Sequence, residues 1–164
     1  MIKFMEILKL VTIQKSKAKE VINMQKYEII TDREDENHGH IRALTDFGCV
    51  KKGDIGGKID NYANLSQEGD CWVYCNAQVK DEAQVSDDAK LFDNAEVYDE
   101  AKLFDNAKVS GNAVVCDEAI VSGNAKVYDE AAVYDEAVVC GNAKVYDNAG
   151  VSGRAGVYVT AEVS

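Results

Sequence analysis

The chain has 164 residues, with 29 Asp and Glu against 18 Lys and Arg, and a formal charge of −11 at neutral pH. So large an acidic excess argues against direct binding to nucleic acid, whose phosphates select basic surfaces. The five cysteines, odd in number and without a paired C-x-x-C spacing, point to a reduced cytoplasmic compartment rather than a disulfide scaffold.

Residues 1–23, MIKFMEILKLVTIQKSKAKEVIN, are basic, with five lysines and two glutamates. Lys9 breaks the apolar run and no small-residue cleavage site follows, so a secretory signal is not expected. The stretch is also too short and too charged to span a bilayer, and no membrane partner is expected. It reads as a basic helix that packs on a partner, as a disordered leader, or as an upstream extension with the start at Met24. Residues 24–70 then read as a small β-rich cap. Tyr27 to Ile30 and Ile41 to Leu44 have strand composition, with the polar loop Thr31 to His40 between them and a tight turn at Gly53-Asp-Ile-Gly-Gly57. A solenoid needs such a cap, because its first coil otherwise leaves a strand edge and an open core.

From Cys71 to Ser164 a single six-residue pattern repeats almost without interruption: Val or Leu, any residue, Asp or Gly, Asn or Glu, Ala, any residue. Fifteen alanines stand in unbroken register from Ala77 to Ala161, and two residues after each is Val or Leu. Fixed-period self-similarity of this kind marks a solenoid. In A-x-V the alanine and valine are two apart, so both point inward on a strand and the residue between them points out. The Asp/Gly-Asn/Glu pair supplies a corner. Three hexads close a triangular coil of 18 residues, and residues 71–164 make about five coils of an all-β, parallel β-helix. The absence of proline suits a ladder that uses every backbone N–H.

The aliphatic residue followed four positions later by a small one, as in Val79 with Ala83 or Val127 with Ala131, resembles the bacterial hexapeptide-repeat family. That resemblance implies a left-handed winding. The run Arg42 to Gly57 followed by Asn64 to Tyr74 looks like the leader of phage, prophage and bacterial hexapeptide proteins labelled acetyltransferase-like or polymer-forming. It implies a phage or prophage origin, an anti-defence-like setting and a location in the host cell cytoplasm.

With 18 residues per coil the outward positions fall into columns. On the first side Lys90, Lys108, Lys126 and Lys144 follow Trp72, beside Tyr74, Phe92, Ser110, Tyr128 and Tyr146. A basic column beside an aromatic one can hold a phosphate while a base stacks, so Lys90, Phe92, Lys108, Lys126, Tyr128, Lys144 and Tyr146 are candidates for binding an anionic nucleotide. The other two sides become small or apolar toward the C-terminus. Val114, Cys116, Ile120, Tyr134, Val138, Cys140 and Tyr158 are therefore candidates for self-association as a dimer or trimer. The chain ends one residue past a repeat valine, which suggests an end-to-end dimer or an edge closed by a partner. Cys71 takes an alanine slot and is expected in the core.

The corners after the second side read Asp81-Glu82, Asp99-Glu100, Asp117-Glu118 and Asp135-Glu136. Eight carboxylates on one edge, two per rise of about 4.8 Å, approach the linear charge density of DNA. Such an edge could occupy a host protein that normally binds nucleic acid. It could instead hold a divalent cation between coils, or serve solubility alone. Hexapeptide acyltransferases use a histidine base, whereas this repeat has none; His38 and His40 lie in the cap loop and H-G-H makes no convincing metal site. No cofactor and no catalysis are expected. The leading expectation is a non-catalytic protein that occupies a host protein through its acidic edge. The alternatives are a nucleotide-sequestering protein and an acyltransferase.

Overall fold

The computed structural model describes residues 25–32 and 35–164. The basic stretch 1–23 and the side chain of His38 lie outside that description. Every described element is a strand. β1 (Tyr27–Asp32) and β2 (Asp35–Ala43) form an antiparallel hairpin, and β3 (Ile55–Ile59) pairs antiparallel with β2. Both hairpin strands thus run into the stretch Thr31 to His40, which sequence alone assigned to a loop. Strand pairing to the previous element overrides its polar composition.

The repeat then makes one two-residue strand per hexad. The first face carries β4 (Trp72–Val73), β7 (Lys90–Leu91), β10 (Lys108–Val109), β13 (Lys126–Val127), β16 (Lys144–Val145) and β19 (Glu162–Val163). The second carries β5 (Gln78–Val79), β8 (Glu96–Val97), β11 (Val114–Val115), β14 (Ala132–Val133) and β17 (Gly150–Val151). The third carries β6 (Gln84–Val85), β9 (Lys102–Leu103), β12 (Ile120–Val121), β15 (Val138–Val139) and β18 (Gly156–Val157). All these pairings are parallel and 18 residues apart, as in Lys108↔Lys126 and Val115↔Val133. The result is a parallel β-solenoid.

It has about six turns rather than about five, because the coil before Cys71 is already wound. Lys58 and Ile59 of β3 pair in parallel with Gln78 and Val79, and Leu65 bridges Val85. Ile59 and Leu65 are six apart, so they occupy the valine slots of a coil whose other residues disguise the repeat. Gly57 holds the small slot there: a Cβ would lie 2.2 Å from the Ala77 carbonyl oxygen and 2.7 Å from Val73 Cγ1. The pair Gly56-Gly57 therefore serves close approach inside a strand rather than the tight turn expected from the sequence; the turn is confined to Gly53, with φ +96°. Buried Asn64 completes this coil by donating to the carbonyls of Asp81 and Ala83, both at 2.9 Å, and by accepting from Asn61 N–H at 2.8 Å.

The alanine and the valine or leucine of each hexad are buried from Ala77 to Val151, and Cys71 joins them. The corner residue written Asp or Gly takes a left-handed backbone. Nine aspartates from Asp81 to Asp147 have φ between +53° and +62°, a region that Gly enters freely and Asp tolerates better than most residues. These carboxylates also tie coil to coil. Asp93 accepts from Gly111 N–H at 3.1 Å, Asp105 from Gly123 N–H at 3.0 Å and Asp117 from Asp135 N–H at 3.1 Å.

Candidate functional site

On the first face the parallel register sets Lys90, Lys108, Lys126 and Lys144 one above another, with Trp72 at one end and Glu162 at the other. Adjacent ammonium groups rise about 4.8 Å per coil, and like charges directly opposite on neighbouring strands repel. Lys144 is relieved by Glu162, whose carboxylate lies 2.6 Å from its Nζ; that hydrogen bond raises the Lys144 ammonium above its ordinary pKa. Among the described residues, Lys90, Lys108 and Lys126 make no ion pair, and Lys108 and Lys126 are exposed. Trp72, expected to project outward, is buried at 1% exposure. The cap covers it: Phe47 meets it edge-on at 5.4 Å and Tyr27 at 6.3 Å.

The aromatic column beside the lysines is stacked in two separate pairs. Tyr74 lies on Phe92 with centroids 4.7 Å apart and planes within 6°, and Tyr128 lies on Tyr146 at 5.3 Å and 8°. Between the pairs the column is interrupted at Ser110. There the face holds a cleft of about 430 Å³ lined by Phe92, Lys108, Ser110, Lys126, Tyr128 and Lys144. Five of the seven residues expected to bind a ligand thus meet in one recess. Lys90 sits in the same coil as Phe92, and Tyr146 backs Tyr128 on the far side of the pair. Ser110 belongs to the site and was missed as a candidate, although its signal was visible as the one non-aromatic residue between Phe92 and Tyr128.

Three of the corners flanking the cleft carry glycine in place of aspartate. Gly111-Asn112 follows Ser110, while Gly123-Asn124 and Gly141-Asn142 precede Lys126 and Lys144. The corner before Lys108 is Asp105-Asn106 and the corner after Tyr128 is Asp129-Glu130, and the carboxylates of Asp93 and Asp105 accept the Gly111 and Gly123 N–H groups. Glycine at three of these corners lowers the number of carboxylates within a Debye length, about 8 Å, of the ammonium groups. Comparison with known proteins finds no family model that matches this chain and no curated protein that matches it.

The acidic edge has a different character. Asp99 and Asp135 accept backbone N–H groups of Asp117 and Gly153 at 3.4 and 2.9 Å, as Asp117 does from Asp135. Glu136 pairs with Arg154 at 2.9 Å. Three aspartates of the edge are thereby engaged in holding coils together, and Glu82, Glu100 and Glu118 form the outward row beside exposed Asp81. No cluster of three or more His, Cys, Asp or Glu with metal-holding geometry occurs among the described residues. His40 contacts the Gly56 carbonyl at 2.9 Å through Nδ1.

The self-association candidates fall on two faces. Val114, Cys116 and Tyr134 lie on the second and Ile120, Val138, Cys140 and Tyr158 on the third, with the acidic corners Asp117-Glu118 and Asp135-Glu136 between them. Tyr158 (52% exposed) folds over Gly156, and Tyr134 (38% exposed) leans toward Gly150. On the second face Tyr98 is pushed up to about 12 by its hydrogen bond to Cys116. Among the described residues no helix is long and apolar enough to cross a membrane.

Proposed function

We propose that this protein is a non-catalytic, left-handed hexapeptide-repeat β-helix that captures a small anionic ligand of the nucleotide class on its first face. The observation that carries this reading is the cleft at Lys108, Lys126 and Lys144, where stacked ammonium groups and aromatic walls coincide. An anion placed there relieves the repulsion within the lysine row, so the row is stable when occupied and strained when empty. The lining set of Lys, Ser, Phe and Tyr is suited to holding a ligand, and the reading assigns it no reaction. Sequestration of a nucleotide signal by a phage or prophage protein in the host cytoplasm is the setting this role fits.

The test is calorimetric titration of the full chain with AMP and with inorganic pyrophosphate. The wild type is expected to bind both, with affinity that falls as salt rises. The double variant Lys108→Ala/Lys126→Ala is expected to bind neither. Equal binding by the double variant overturns the assignment.

A second reading rests on the outward row Glu82, Glu100 and Glu118, which offers an acidic ridge to a basic host protein. Charge reversal at Glu100 and Glu118 then abolishes capture of that partner, and unchanged capture removes this reading. Self-association through either apolar face accompanies both readings and is checked by the mass of the native assembly.

A further inference from the structure

Resting on the anionic-ligand reading, we infer that the ligand carries one planar nucleobase, inserted over Ser110 between the rings of Phe92 and Tyr128. The aromatic column has one member per coil at Tyr74, Phe92, Tyr128 and Tyr146, and the coil between Phe92 and Tyr128 contributes Ser110 instead. Phe92 and Tyr128 are two coils apart, about 10 Å. A ring at the level of Ser110 lies about 5 Å from each, within the favourable range for aromatic pairs and matching the 4.7 and 5.3 Å of the two existing stacks. The inserted base completes a five-ring ladder.

The same coil places the groups a nucleotide requires beside that base. Ser110 supplies a hydroxyl at the floor, able to donate to or accept from a ring edge. Lys108 projects from the same face two residues earlier, about 7 Å along the strand, a distance a nucleotide's phosphate can span from its base. Lys126 and Lys144 lie on the Tyr128 side of it. The corner after Ser110 is Gly111-Asn112, without the carboxylate that Asp93 and Asp129 place in the neighbouring coils. Ring and corner carboxylate are thus replaced together in one coil, and the Gly111 N–H is held by the Asp93 carboxylate of the coil before it at 3.1 Å. The column has a single gap, so it stacks one base and not the succession of bases a single-stranded nucleic acid offers to an aromatic platform.

The decisive variant is Ser110→Phe, which supplies the missing ring from the protein itself. Titration with AMP is expected to weaken about 5- to 150-fold, the loss that corresponds to one base–aromatic stack. Binding of inorganic pyrophosphate, which needs only the lysines, is expected to change little. The variant extends a stacked column and is expected to unfold at the wild-type temperature or above. Tyr128→Leu, which removes one wall instead, is expected to give the same selective loss of AMP. Quenching of tyrosine fluorescence by AMP is expected in the wild type and not in Ser110→Phe. If Ser110→Phe and Tyr128→Leu bind AMP as the wild type does, while Lys108→Ala/Lys126→Ala does not, the base slot is refuted and the anion site stands. If the wild type binds neither AMP nor pyrophosphate, both are refuted.

Discussion

Replacing Asp117 tests why the left-handed corner position, which Cys75 and Val159 also occupy, is mostly Asp or Gly. Its φ is +57°, and its carboxylate accepts the Asp135 N–H at 3.1 Å one coil later. In Asp117→Gly the left-handed backbone is unstrained, and the loss is the weak contact from the Cys116 thiol at 3.5 Å and the hydrogen bond from the Asp135 N–H. That bond is exposed to water, so the loss lies near the low end of about 0.5–1.5 kcal/mol. Asp117→Ala loses the same bond and adds a Cβ penalty of about 1–2 kcal/mol in the left-handed region, offset by the smaller entropy of the unfolded alanine chain, about 0.4–1 kcal/mol. The net expectation is that alanine is less stable than glycine by about 1 kcal/mol, or about 2–4 °C in midpoint for a chain of this size. Asp117→Asn keeps both the backbone tolerance and an acceptor oxygen while relieving repulsion from Asp99 and Asp135, and is expected at or above wild type. Thermal unfolding followed by circular dichroism ranks the three. An alanine variant as stable as the glycine variant would show that backbone conformation is not what selects this residue.

Gly57→Ala forces a Cβ to 2.2 Å from the Ala77 carbonyl, and is expected to destabilise far more than Gly53→Ala, where nothing lies within 4 Å and the penalty is the φ of +96° alone; denaturant midpoints compare the two. Asn64→Ala strips the buried carbonyl of Ala83 and the Asn61 N–H of their partner and removes one donor from the Asp81 carbonyl, with an expected loss of about 1–3 kcal/mol, read from the same curves. Tyr98 titrates near 12 against an ordinary phenol value near 10. Because its folded pKa is raised, the unfolded chain loses this proton first as pH climbs, and the contribution to stability is lost between about pH 10 and 12. Ultraviolet titration of Cys116→Ala is expected to return one phenol toward its ordinary value, and an unchanged titration curve contradicts the Cys116 hydrogen bond as the cause.

The hexads were legible because each residue in them answers to one local constraint. Alanine fits the narrow interior, valine and leucine fill it, and Asp or Gly takes the left-handed corner. The register of Lys90, Lys108, Lys126 and Lys144 followed from a fixed 18-residue period, and with it the site. What sequence did not reveal depended on contacts across the chain. Trp72 obeys the outward parity of its strand, yet Phe47 and Tyr27 from the cap cover it. Ile59 and Leu65 are repeat valines in function, but Gly57 in place of alanine and the 20-residue offset to Val79 and Val85 hide them. Corner aspartates read as free charge, whereas Asp99, Asp117 and Asp135 are acceptors of the inter-coil ladder. Ser110 carried no signal alone. Its meaning comes from the stacked rings above and below it.

The most direct test of the binding claim is native mass spectrometry of the full chain after incubation with an equimolar pool of nucleoside mono- and diphosphates. The expected spectrum shows one nucleotide per chain, released on denaturation and absent from Lys108→Ala/Lys126→Ala. A wild-type spectrum with no bound nucleotide, or with equal retention by the double variant, contradicts the assignment of the lysine–aromatic face as the ligand site.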